Sequence, residues 1–163
     1  MPTPEYIVSL REKIGHDPLW LTGVTAVVLR GSGASAEVLL VRGRETDAWS
    51  PVTGISEPGE EPAVTAEREV LEEAGIVAVA ESLVWVHVME PVVYGNGDRC
   101  QFLDLVFRCR YVSGEARVGD DENSDVRWFP LDALPELPSS HPERIRLSIA
   151  DAAAGAASTR FER

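Results

Sequence analysis

Basic side chains are scarce. Lysine and arginine together number 15 against 27 aspartates and glutamates, so the 163-residue chain carries a formal net charge of −12. A surface that acidic repels a phosphate backbone and excludes general binding of nucleic-acid polymers unless metal ions intervene. Long apolar runs are also missing. None approaches the roughly 18 residues of a membrane span, and the opening Met1-Pro2-Thr3-Pro4-Glu5 shows neither the basic nor the apolar region of a secretory leader. Two cysteines, Cys100 and Cys109, are too few for a disulfide framework or a zinc site. They read as reduced thiols of a cytoplasmic protein, and their odd offset puts them on opposite faces if one strand holds both. The three histidines, His16, His87 and His141, are scattered, with no H-E-x-x-H spacing to hold a metal. There is no G-x-x-x-x-G-K-[ST] phosphate loop and no G-x-S-x-G nucleophile elbow. Gly31 to Ala36 fits the loose dinucleotide pattern G-x-G-x-x-A, but a β-type run follows where that pattern must open a helix.

What is present is a globular composition, 44% hydrophobic and 26% charged, in a length that suits one domain. Pro4 to Ile14 reads as a short amphipathic helix, part of an N-terminal extension over residues 1–20, with Ile7, Leu10 and Ile14 at helical spacing. An apolar stripe ahead of the first strand needs a cover, and a partner chain in a homodimer is one expectation. Gly23 to Arg30 and Glu37 to Val41 read as strands joined by the loop Gly31 to Ser35. Pro62 and Gly75 punctuate the clearest helix, Glu61 to Ala74. Strands follow at Ile76 to Ala80, Leu83 to Met89, Phe102 to Tyr111 and Val126 to Phe129, with Gly95-Asn96-Gly97-Asp98 as a turn between antiparallel strands. A last helix is predicted over Glu143 to Ala154, and the alanine-rich tail, 152–163, is expected to fray. Strands mixed with a few helices in a short chain argue for an α/β sandwich without a regular βαβ array.

The negative charge is concentrated. Residues 54–76, GISEPGEEPAVTAEREVLEEAGI, hold seven glutamates and one arginine, half of the net charge of the whole chain. An ordinary solvated helix interleaves lysines for i,i+4 pairing, and this one has none. Ala63, Ala66, Val70 and Ala74 form a core stripe, while Glu69, Glu72 and Glu73 gather on the opposite side. Three carboxylates on one face repel and raise one another's pKa unless a cation neutralises them, and hard oxygen donors select Mg²⁺ or Mn²⁺. Ahead of the helix, Glu57-Pro58-Gly59-Glu60 is a turn that delivers Glu60 beside its start. Gly54, lacking a side chain, lets backbone come close to an ion or a phosphate.

This window resembles the signature of the Nudix hydrolases, the MutT-related pyrophosphohydrolases: G, five residues, E, seven residues, then R-E-U-x-E-E-x-G-U, with U a bulky aliphatic. Gly54, Glu60, Arg68-Glu69-Val70, Glu72-Glu73, Gly75 and Ile76 satisfy every fixed position. One departure precedes it, because many relatives have Pro-Gly-Gly where this chain has Val52-Thr53-Gly54. The resemblance implies an α/β/α sandwich with a mixed sheet, and hydrolysis of a nucleoside diphosphate linked to another moiety, releasing a nucleoside monophosphate. It implies Mg²⁺ or Mn²⁺ held by Glu69, Glu72, Glu73 and the Gly54 carbonyl, with Arg68, Glu69 and Glu60 at the catalytic step. Glu69 or a neighbouring carboxylate would orient or deprotonate the water. Arg44, at the end of the second strand, is read either as touching the phosphates or as an exposed strand-end arginine. Trp49 and Trp128 read as core.

In the loop Asp120-Asp121-Glu122-Asn123, the resemblance points to Glu122 as an opposing metal ligand, with Asp121 as the fallback. Pro91 resembles a marker of ADP-ribose hydrolysers and Tyr94 one of dinucleoside polyphosphate hydrolysers. Ser139-Ser140-His141 stands where relatives that clean oxidised nucleotides use an asparagine. A non-catalytic nucleotide-sensing module is the alternative, set against a signature that has lost no glutamate. An isoprenoid diphosphate isomerase would add a cysteine before the signature, and none precedes Cys100.

Overall fold

A computed structural model describes residues 3–155 and 159–162. The strand β1 (Leu19–Arg30) is the spine. Its run Val24 to Val28 is buried on both faces, which is why it reads as continuous apolar and β-branched sequence without alternation. It pairs in parallel with β7 (Arg99–Gly114) from Leu19↔Cys100 to Leu29↔Arg110, and antiparallel with β4 (Val52–Ile55) on its other edge. Beyond β4 the same edge meets β2 (Glu37–Gly43) for two residue pairs only. The strand β2 then diverges to pair with β3 (Trp49–Ser50) and β8 (Asn123–Pro130). On the far side β7 pairs antiparallel with β5 (Ile76–Val88), and β6 (Val92–Val93) meets the first residues of β7 across the Gly95–Asp98 turn. The sheet is therefore mixed, as expected.

Helices cover both faces. The helix α2 (Pro62–Ala74) buries Ala66, Val70 and Ala74 against Val24, Ala26, Val28, Phe107 and Cys109. It stops at Gly75, whose left-handed φ of 67° suits glycine and whose N–H bonds the Leu71 carbonyl. The helix α3 (His141–Ala154) sets Ile145 against Val27, Val106 and Trp85 on the opposite face. Cys100 and Cys109 share β7 and belong to different clusters, in line with their odd offset.

Two expectations change. Glu81 and Ser82 do not divide two strands, because register shifts against β7 absorb the irregularity and β5 runs unbroken. Of the stripe of α1 (Glu5–Ile14), Ile7 packs on its own domain with Leu21, Cys100 and Phe102, while Leu10 remains exposed. The tail, of which residues 156–158 lie outside the described residues, carries a short strand. Helix α3 continues through Ala154, and β9 (Arg160–Phe161) adds a short parallel strand to β5. It is held by Thr159 Oγ1 donating to the Leu83 carbonyl at 2.7 Å and Trp85 Nε1 donating to Glu162 at 3.0 Å. Among the described residues no helix is long and apolar enough to cross a membrane.

Candidate active site

Two of the three carboxylates on the acidic face of α2 lie against protein, while Glu72 stays exposed. Glu69 is 0% exposed and Glu73 5%, although a helical projection sets them opposite the core stripe. Two elements cover them. Strand β4 brings Gly54 so close that a Cβ there would stand 2.2 Å from the Glu69 Cδ, so the glycine serves proximity and not a special φ. On the other side, the segment leading into β8 bonds the end of α2, with Arg117 and Gly119 N–H groups donating to the Ala74 and Glu73 carbonyls at 3.0 Å. Asn123, the first residue of β8, is buried and donates Nδ2 to Glu73 Oε2 at 2.9 Å.

Arg68 organises the remaining acids. Its Nε and Nη2 donate to the two oxygens of Glu60 at 2.8 and 3.0 Å, and its Nη1 reaches Glu69 Oε1 at 3.0 Å and Glu72 Oε2 at 3.1 Å. Hydrogen bonds from Arg68 hold Glu60 down at about 2, helped by the Thr65 hydroxyl at 2.8 Å, and Glu60 in turn raises the Arg68 pKa. The buried pair moves the other way. Burial pushes Glu69 up to about 7, with Arg68 opposing and Glu72 and Glu122 adding repulsion. Burial pushes Glu73 up to about 8 against the hydrogen bond from Asn123, and Glu69, Asp120 and Glu122 raise it further.

Glu69 Oε2 is buried with no hydrogen-bond partner. A fully buried carboxylate oxygen without a donor is expensive, and a divalent cation is the partner that such an oxygen fits. Among the described residues no three acidic or histidine side chains already converge around one point. Arg68 accounts for this, since it draws Glu60, Glu69 and Glu72 to its own nitrogens. The hard oxygen donors of Glu69, Glu72, Glu73 and Glu122 and the Gly54 carbonyl suit Mg²⁺ or Mn²⁺.

A cavity of about 600 Å³ opens from Gly54, Glu73 and Glu122. Its wall includes a polar cluster on the α3 face of the sheet that sequence reading did not find. Asp104 accepts Thr25 Oγ1 at 2.9 Å, His87 Nε2 at 3.0 Å and Arg144 Nη2 at 2.7 Å, all buried. The signal was an aspartate inside the apolar strand Phe102-Leu103-Asp104-Leu105-Val106. Tyr94 and His141 line the cavity, whereas Pro91, Trp49 and Trp128 do not. Trp49 packs edge-on against Phe129, and Trp128 lies edge-on to Tyr111 with the Arg30 guanidinium over its ring. Arg44 donates to the carbonyls of Asp121 and Asn123, both at 2.9 Å, and its N–H to that of Glu122 at 2.7 Å. It ties down the loop that carries Glu122.

Comparison with known proteins agrees with this fold. The chain is 39% identical over 105 residues, 63% of its length, to the NAD-capped RNA hydrolase NudC of Pseudomonas aeruginosa, and that stretch spans 35% of the relative. It thus spans about a third of that curated protein's length. Its fold superposes on the crystal structure of a UDP-X diphosphatase with a TM-score of 0.67, at 23% identity, covering 95% of this chain and 73% of the other. It superposes on an ADP-ribose pyrophosphatase from Streptococcus suis with a TM-score of 0.69, at 22% identity, covering 87% and 98%. The NUDIX domain family model matches residues 20–150, so the signature, the sheet and most of α3 fall within one match, and the chain belongs to the Nudix family.

Proposed function

We propose that this protein hydrolyses the diphosphate bond of a nucleoside diphosphate joined to a second moiety, releasing a nucleoside monophosphate. The observation that carries this is the buried Glu69–Glu73 pair, Glu69 with a donorless Oε2 and Glu73 lining a cavity large enough for a nucleotide. Glu69, Glu72, Glu73, Glu122 and the Gly54 carbonyl would hold Mg²⁺ or Mn²⁺. Bound there, the cation neutralises diphosphate oxygens and acidifies water.

The chain's own groups do the rest. Glu60, locked by Arg68 and Thr65, fixes the Arg68 guanidinium, which orients Glu69 through Oε1. Glu69 or a neighbouring carboxylate would orient or deprotonate the attacking water, a role worth about 10²–10⁴ in rate. Asn123 orients Glu73, and Arg44 holds the Glu122 loop through its backbone. The substrate classes named by the similar proteins, a dinucleotide-capped RNA, a UDP-linked group and ADP-ribose, share a nucleoside diphosphate. A net charge of −12 favours the small molecules among them over an RNA polymer.

The test is a panel of ADP-ribose, NADH, dinucleoside polyphosphates, sugar nucleotides and ordinary or oxidised deoxynucleoside triphosphates, with Mg²⁺ or Mn²⁺. Glu69→Gln is expected to lower kcat by about 10² or more on any substrate turned over. Glu122→Gln is expected to weaken turnover or Mg²⁺ dependence about tenfold, and Asp120→Asn to do little. Tight binding of a nucleotide without turnover on any member would instead establish a sensing module.

A further inference from the structure

The far end of the cavity is closed by a part of the chain that the family match does not reach. Pro4, Ile7 and Arg11 of the N-terminal segment line it, and the match begins at residue 20. Helix α1 is fastened there at both ends. Tyr6 donates to the Ser56 carbonyl, just past β4, at 3.4 Å. Arg11 donates to the carbonyls of Asp17 at 2.6 Å and Arg99 at 3.0 Å, and Arg99 Nε donates back to the His16 carbonyl at 3.0 Å. Ile7, 4% exposed, is thereby pressed toward Leu21 and Phe102.

The chemistry of this end selects its occupant. Its two arginines are committed. Arg144, 1% exposed, is bonded to Asp104, to His141 and to the Met89 sulfur, and Arg11 is ion-paired with Asp98 at 3.3 Å and donates to backbone carbonyls and the Cys100 sulfur. Among the described residues lining this end, then, no cation is left to meet a phosphate or a carboxylate. His141 offers a neutral donor, while the buried Arg11 Nε has no hydrogen-bond partner and pairs only with the Asp98 carboxylate. His141 Nδ1 accepts from Arg144 Nη1 at 2.7 Å, so the ring's own proton sits on Nε2, and no protein hydrogen bond uses that atom. Burial, with Arg144 beside it, lowers His141 to about 4, which keeps the ring neutral at pH 7.

The floor is equally specific. Gly23 sits mid-strand in β1 without a positive φ, where glycine weakens a sheet and marks close approach of another group. A Cβ there would stand 3.3 Å from Phe102 Cδ1, so the bare backbone leaves a flat surface beside an aromatic edge.

We propose that α1 is a specificity-determining wall, closing a subsite for an uncharged heteroaromatic ring that lies over Gly23 between Ile7, Leu21 and Phe102, with His141 Nε2 donating to a ring acceptor. This rests on the reading of the cavity as a substrate site and names the ring moiety of the substrate rather than its diphosphate. A ring bearing a carbonyl or a ring nitrogen fits; a sugar phosphate or a second charged group at that end does not.

The experiment places tryptophan inside and outside the wall. Ile7→Trp is expected to raise KM for the preferred panel substrate about tenfold or more, with a much smaller change in kcat. Val8→Trp, on the exposed side of the same helix, is expected to keep the wild-type KM. Ile7→Ala covers the case in which Ile7→Trp misfolds, and is expected to raise KM in the same sense by loss of contact. Binding of free adenosine and uridine, followed by NMR without metal or turnover, separates this proposal from the activity. Nucleoside binding lost in Ile7→Trp supports the wall even if no diphosphate is cleaved. Unchanged KM and unchanged nucleoside binding in both Ile7 variants would overturn it while leaving the hydrolase reading intact.

Discussion

Gly54→Ala isolates the closest approach in the site. The residue lies in β4, paired with Val24, and its φ is not positive, so alanine meets no backbone penalty. The whole effect comes from space. A Cβ would stand 2.2 Å from Glu69 Cδ and Oε1 and 2.3 Å from Cγ, while ordinary contacts begin at 3.4 Å, so the two groups must separate by more than an ångström. Strand β4 is held on β1 by four consecutive residue pairs, so Glu69 is the group that yields, and it is fully buried with no room beside it. Overpacking of this kind costs about 1–3 kcal/mol of stability. Displacing a reacting group by about 1 Å costs turnover on the order of 10²-fold. Urea unfolding and steady-state kinetics read the two effects separately. The decisive arm is the double variant: with Glu69→Ala in place the clash partner is gone, and Gly54→Ala should then cost almost no stability. Equal destabilisation by Gly54→Ala in both backgrounds would refute the steric argument, as would a single variant of wild-type stability and turnover.

Removing cations should expose the burial of Glu69 and Glu73 as a pH dependence. Both folded pKa values are raised, to about 7 and about 8 from 4.5, so their contribution to stability is fully present below pH 4.5 and is lost as pH rises through 7 and 8. Thermal unfolding in chelator should accordingly show Tm falling between pH 5 and 9, with millimolar Mg²⁺ or Mn²⁺ restoring most of it at the alkaline end; a flat profile in chelator, unmoved by cations, would contradict the site. Arg144→Leu leaves Asp104 buried with only Thr25 and His87 as partners, an expected loss of about 3–5 kcal/mol in urea unfolding. Adding Asp104→Asn should recover part of that loss, since the stranded charge is then gone, and strict additivity of the two changes would speak against the pairing.

Features written in neighbouring residues were legible, and features made by distant chain segments were not. Pro62 and Gly75 bracket α2 because proline and left-handed glycine act on their own turn. The core stripe of α2 follows from its 3.6-residue period. The same period sets Glu69 and Glu73 away from that stripe, and only the arrival of β4 and the β8 loop turns this second face into an interior. Asn123 was visible merely as the residue after Glu122; its role depends on a contact with α2 across 50 positions. Likewise β9 has two residues and no periodicity, so its pairing to β5 rests on contacts with Leu83 and Trp85. Arg44 had two open readings, and the structure sends its side chain to loop carbonyls.

The parallel pairing of β1 with β7 carries a consequence for how the molecule is made. Contacts between residues near one end of the chain and residues well past its middle close a long loop, and such contacts form late. Helix α2 and the β5–β7 hairpin can organise locally, but β1 emerges first during synthesis and cannot complete its central edge until Arg110 has been added. Until then Val24 to Val28, a β-branched run with a bare edge, is open to pairing with a second nascent chain. The first strand of this sheet in sequence order is among the last to be satisfied, so slowing synthesis between β1 and residue 110 should cost more soluble protein than a comparable pause upstream of β1.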